Sequence, residues 1–218
     1  MTDLLYRWPA AAKFGRQVPK TKFYQQGTVS TNVREKFIAE IQRITWAYKL
    51  AESTINLPGS VEVPEIQVFQ IDAKGDDVSE LVLAAMDKAV QTPIIFEITR
   101  FDERIRMAAT LKQLGCSAPK LGNYYTTGWQ PEDADRQPLP TTITLPALYA
   151  ALLQPLSGVS ARPGEELPEV SARLEAARKL EREIAALERK LRNEPQLNRK
   201  VELRRTLKIK QAELEQQR

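Results

Sequence analysis

The sequence contains no histidine, and that absence excludes more chemistry than any single motif in it supplies. Ser-His-Asp and Cys-His catalysis, histidine-dependent nucleases and histidine-containing zinc sites all need an imidazole as base or ligand. The only cysteine, Cys116, can form no internal disulfide and cannot by itself build a thiolate zinc site. A reducing compartment suits such a chain. Its nine glycines compose neither a Walker pattern nor G-x-G-x-x-G, so no phosphate-cradling loop is legible. The longest uninterrupted apolar stretch, residues 147–153, falls far short of the roughly 20 residues that cross a bilayer, and no apolar signal core opens the sequence. These absences predict a soluble cytoplasmic protein with no membrane partner, no cofactor and no histidine- or thiolate-based metal site. Whatever chemistry it does must rest on carboxylates, lysine or tyrosine.

With 218 residues, 42% of them hydrophobic, the chain can bury one substantial core but is short for two full-sized domains. The formal charge of +4 is unevenly distributed. Residues 169–218 hold fourteen Lys/Arg against nine Asp/Glu, whereas residues 1–168 hold eighteen against nineteen. The basic character belongs to the C-terminal segment.

Residues 1–26, with Pro9 and Pro19 and no sustained period, are predicted to drape over the domain as an arm. From Asn32, the spacing of Val33, Phe37, Ile41, Ile44 and Tyr48 predicts a helix ending near Leu50, with Asn32 and Glu35 as a capping pair. Residues 65–72 read as a strand. Residues 76–90 read as a helix capped by Asp77 and Glu80, with Leu81, Val82, Ala85, Met86 and Ala89 facing inward. Residues 92–100 and 104–111 read as two more strands, the first of them parallel to 65–72 because a helical crossover intervenes. Residues 123–129 add another strand, and residues 141–145 a short one. A helix over 147–153 closes an α+β domain, a mixed sheet with flanking helices, over residues 1–154. A Pro/Gly/Ser-rich linker follows over 155–168. Beyond it Ala177, Leu180, Ile184, Leu187 and Leu191 recur at threes and fours, as in a coiled-coil seam. Asn193 and Pro195 break this helix, and a second, with Leu203, Leu207 and Leu214, folds back to complete a basic antiparallel hairpin over 169–218.

Three groups of residues are candidates for function. The first is the hairpin: Arg189, Lys190 and Arg192 on its first helix, and Arg199, Lys200, Arg204, Arg205, Lys208 and Lys210 on its second, can follow a phosphate backbone or meet a protein partner. The plain structural reading is a solvated coiled coil, since Glu175 with Lys179 and Glu188 with Arg192 are spaced four apart in the favourable order. The second group is Asp72-Ala-Lys74 at a strand end, an acidic-x-Lys pair of the kind in which a carboxylate holds a divalent metal and lysine orients the attacking water. Such a site needs a further acid. Glu65 and Glu62 are the candidates, but alternation puts Glu65 on the face opposite Asp72. The third group, Tyr124, Tyr125 and Trp129, can stack on unpaired bases or fill the sheet core. Trp46 and Lys49, three apart on the first predicted helix, are spaced for a local cation–π pair.

PKTKFY (residues 19–24), WAYKL (46–50), EIQVFQID (65–72), PIIFEI (93–98), YYTTGW (124–129) and NEPQLNRKVEL (193–203) occur in that order. Together they resemble the bacterial domain-of-unknown-function family numbered 4391 over nearly the whole chain. The resemblance brings no assigned catalytic residues. It implies an association with gene clusters that encode helicases and DNA methyltransferases in phage-defence or restriction-like systems. On that basis the expected role is a non-catalytic accessory subunit, docking on a helicase-type partner, on DNA, or on both. The alternatives are a metal-dependent nuclease built on Asp72 and Lys74 and a scaffolding or toxin-neutralising protein that does not contact DNA.

Overall fold

The computed structural model describes residues 4–25, 29–113, 119–157 and 167–217. It divides into two compact units, residues 1–157 and 158–218.

The first unit is built on β3 (Glu65–Ala73), β4 (Ile94–Thr99) and β5 (Arg104–Gln113). Their Ile, Val, Phe and Ala side chains are buried almost without interruption, as strands covered on both faces require. A crossover through α4 (Glu80–Ala89) makes β3 and β4 parallel, while a tight turn at residues 101–103 makes β4 and β5 antiparallel. Glu103, in the left-handed region at φ 57°, completes that turn. With β1 (Lys13–Gln17), β2 (Ile41–Ala51) and β6 (Lys120–Thr126), the sheet runs in the order β1-β2-β3-β4-β5-β6. The two-residue β7 (Gln130–Pro131) also pairs with β5. The fold is therefore mixed α+β, as the sequence predicts.

The largest departure from the sequence reading lies at residues 31–51. The helix expected over 32–50 is α2 (Thr31–Glu40) followed directly by β2. The apolar spacing misleads because β2 carries bulges between Ile41 and Arg43 and between Trp46 and Tyr48. Two extra residues, together with burial on both faces, leave Ile41, Ile44, Ala47 and Leu50 buried at intervals of three, which imitates a helix. Ile41, Ile44, Thr45, Trp46 and Tyr48 are β-branched or aromatic and favour the strand. The cap is Ser30, whose Oγ accepts from the Val33 amide at 3.5 Å, rather than Asn32 with Glu35. The Trp46–Lys49 pair dissolves with the helix. Trp46 packs 4.0 Å from Phe14 between ring centroids, and Lys49 pairs with Glu65 at 2.6 Å.

The expected arm is part of the core: Leu4, Leu5, Tyr6 and Trp8 are buried, and β1 pairs with β2. Helix α4 starts at a Ser79 cap, because Asp77 instead accepts from the Val78 amide and pairs with Arg106 at 2.6 Å. That start leaves Leu81 exposed and turns Val82, Leu83 and Met86 inward. With α1 (Thr21–Gln25) and α2, α4 covers one sheet face, over Phe69, Ile71, Phe96 and Ile98. The short α3 (Glu52–Ile55) follows β2. No strand forms at residues 141–144. Thr144 instead caps α5 (Leu145–Ser157), its Oγ1 accepting from the Ala147 amide, and Pro146 is tolerated because its missing N–H falls in the first turn. Helix α5 continues through Pro155 into the segment expected as linker, whose residues 158–166 lie outside the described residues, as does Cys116.

The second unit is a pair of helices, α6 (Leu167–Asn193) and α7 (Leu197–Gln217), packed against each other and separated by the break at Pro195. Their 27 and 21 residues correspond to about 40 and 30 Å. The antiparallel register is fixed by Lys210 to Glu183 at 3.3 Å and by Arg173 Nη1 donating to the Gln217 carbonyl at 2.9 Å.

Candidate functional site

Each sequence candidate takes a definite place in the structure. On the hairpin, Arg189, Lys190, Arg192, Arg199, Arg204, Arg205 and Lys208 are exposed, and Lys200 is half-buried. Lys210 differs. It pairs with both Glu183 and Glu213, the latter at 2.9 Å, and these hydrogen bonds raise its pKa. It serves the hairpin rather than an outside ligand. Among the described residues, Arg199, Arg204, Arg205 and Lys208 have no ion-pair partner. Seam residues Leu180, Ile184, Leu187, Leu191, Leu203 and Leu207 are only half-buried, while Leu197, Val201 and Ile209 of α7 are exposed at 73%, 58% and 52%. The helix pair alone does not cover its apolar side chains.

Asp72 and Lys74 are engaged separately. Asp72 pairs across the sheet with Arg43 at 2.6 Å, and Lys74 Nζ donates to the Ile38 carbonyl at 2.7 Å. Glu65 lies at the opposite end of β3, on the order of 20 Å from Asp72 at about 3.3 Å per residue. There it holds Lys49 and accepts from Gln67 Nε2. Glu62 is exposed in the preceding loop. No group of three metal-ligating side chains occurs among the described residues.

Of the three aromatics, Tyr124 is buried and donates to Asp87, and Tyr125 is half-buried on β6. Trp129 is half-buried, with the guanidinium carbons of Arg100 and Arg106 at 4.7 and 5.0 Å from its ring centroid. Cation–π contacts of this kind occupy the indole within the fold. Burial lowers the pKa of Arg106, and Asp77 opposes that shift.

Sequence reasoning missed two buried charge networks. Lys112 on β5 and Asp87 on α4, both fully buried, meet at 3.2 Å. Lys112 Nζ also donates to the carbonyls of Val90 at 2.7 Å and Thr92 at 2.9 Å, and Tyr124 closes the other carboxylate oxygen. Tyr149 of α5 extends the network, accepting from the Lys112 amide at 3.1 Å and donating to the Thr110 carbonyl. Burial pushes Asp87 up to about 6 against the pull of Lys112, lowers Lys112, and raises Tyr124 and Tyr149. The second network centres on Glu97, fully buried on β4. It accepts from Trp8 Nε1 at 2.8 Å, Gln70 Nε2 at 3.0 Å and Arg136 Nη1 at 2.5 Å. Arg136 also reaches the Tyr6 carbonyl at 2.9 Å, so one carboxylate ties the N-terminal segment and the 130s loop to the sheet. One signal was available: a lone carboxylate inside the apolar run IIFEIT is expensive to bury unless several donors meet it.

Fold and geometry together define a mixed-sheet α+β protein with a second unit of two paired helices, and the buried charges Asp87, Lys112 and Glu97 are engaged in structural networks. The chain belongs to the family described as Domain of unknown function (DUF4391), whose model matches residues 7–214. No curated protein and no solved structure matches it.

Proposed function

We propose that this protein is a non-catalytic accessory subunit of a bacterial anti-phage or restriction-like DNA-processing complex, and that the α6–α7 hairpin docks it on a helicase-type subunit, on DNA, or on both. The observation that carries the reading is the hairpin surface, where exposed cations flank leucines that the helix pair leaves half-covered. Cations without acidic partners suit phosphate, and a half-covered apolar seam suits a protein groove. The defence setting comes from the family resemblance. The nuclease alternative draws less support, because Asp72 and Lys74 are each held by another group and Glu65 is remote from both.

Two sets of substitutions test the proposal in copurification and DNA-binding assays. Reversing Arg204, Arg205 and Lys208 to Glu is expected to weaken DNA binding and flatten its salt dependence, since each neutralised phosphate contributes about −0.9 to the slope. Leu187→Asp with Leu207→Asp is expected to release a protein partner while leaving the cations in place. If a chain lacking residues 158–218 binds DNA and copurifies with its neighbours as well as the whole protein does, the hairpin is not the docking element.

A further inference from the structure

A cavity of about 350 Å³ lies between the sheet and the helices that cover one of its faces, walled by Val18, Phe23, Trp46, Phe69 and Val90. The aromatic rings form one continuous wall: Trp46 and Phe69 stack on each other within 15° of parallel with centroids 6.1 Å apart, and Phe23 meets Phe69 edge-on at 77°. Two polar side chains on the lining are incomplete. Gln67, 97% buried on β3, gives its amide nitrogen to Glu65, which leaves Oε1 buried with no hydrogen-bond partner. A carboxylate can only accept, so the neighbouring Glu65 fixes the orientation of the amide. Thr92 Oγ1 is likewise buried without a partner. Such atoms cost free energy unless something meets them, and native interiors seldom leave them unmet. Lys22, exposed on α1, adds a cation to the same lining.

We infer that this cavity is a binding site for a nucleobase. Its aromatic wall suits a planar ring, Gln67 Oε1 requires an N–H donor, and the Thr92 hydroxyl can meet a ring nitrogen or carbonyl. Lys22 suits the attached phosphate. The size lies at the lower end of the range for small-molecule pockets, which fits a base with its sugar rather than a dinucleotide. A purely apolar ligand would leave both oxygens unpaired. This inference does not depend on the hairpin reading.

The experiment is calorimetric titration of the full-length protein with each of the four common nucleoside 5′-monophosphates and with a short single strand, followed in parallel by the Trp46 indole and Gln67 side-chain amide signals in NMR. At least one probe is expected to bind and to shift both signals, with Gln67→Met and Thr92→Val each weakening it about tenfold or more. Binding of monophosphates identifies a free nucleotide as the source; binding of the strand alone, still sensitive to both variants, identifies an unpaired base within a chain. Should Gln67→Met not fold, Thr92→Val, nearly isosteric and only half-buried, carries the test. Absence of binding by every probe overturns the assignment, as does binding that neither variant weakens or that leaves the Trp46 and Gln67 signals unmoved.

Discussion

Replacing Lys112 with Met keeps the buried aliphatic stem but removes the ammonium, and with it three contacts at 3.2, 2.7 and 2.9 Å. Asp87 is then left with Tyr124 alone, in a site where neither member of the original pair was exposed. Removing one partner of a buried pair costs ~3–5 kcal/mol, because the surviving charge has no compensation. The carbonyls of Val90 and Thr92 also lose a donor, which places the change towards the upper end of that range. Asp87 has one escape. Its carboxyl already titrates near 6, and losing Lys112 raises it further, so the proton it takes up relieves part of the cost in acid. Urea unfolding should therefore show a loss of ~3–5 kcal/mol at pH 8 and a smaller one at pH 5. In Asp87→Asn/Lys112→Met the loss should be less than the two single losses combined, since the double variant leaves no unpaired charge. A cost below ~1 kcal/mol at both pH values, the range of an exposed pair, would show that the network does not hold the fold.

Asp87 also makes a pH prediction, with its sign set by the direction of the shift. Its folded pKa of about 6 lies above the unfolded value near 3.9, so the native state takes up the proton first. Stability relative to Asp87→Asn should therefore fall as pH rises from about 4 to 6, by roughly 3 kcal/mol, and stay level above; a flat difference curve would refute the shift. Glu97→Ala removes the acceptor for Trp8, Gln70 and Arg136 together, and should cost on the order of 3–5 kcal/mol and speed proteolysis of the N-terminal segment. Retention of parental stability and protease resistance would mean that the segment is held by its apolar residues alone.

The strands β3 and β4 were legible from their β-branched and aromatic residues and β5 from its apolar run after the turn at 101–103, and the α4 crossover made the parallel pairing a matter of geometry. Segment β2 was not. Its bulges are set by the cross-strand register with β3, so its burial follows pairings such as Ile41 with Ala73 and Leu50 with Ile66 that no local window contains. The buried networks were hidden for the same reason. Lys112 reads as a polar strand end and Asp87 as the wet side of a helix until the fold brings them together across 25 positions, and Trp8 reaches Glu97 across 89. Of the candidate site, the concentration of charge in the hairpin was visible from counting alone; the cavity was not, because its wall is assembled from α1, β2, β3 and α4, the turn after α4 and Val18 of the segment between β1 and α1.

The two units use charge differently. In the first unit, Asp87–Lys112, Glu97–Arg136, Asp72–Arg43, Glu65–Lys49 and Asp77–Arg106 each join residues distant in sequence, so positive and negative side chains are matched by the fold itself. In the second unit the pairing of Lys210 with Glu183 and Glu213 fixes the helices, but Arg199, Arg204, Arg205 and Lys208 face solvent with no such duty. Like charges on one exposed helix repel one another and oppose helix formation. An anionic or acidic partner would relieve that repulsion, which is the physical basis of the docking proposed for α7.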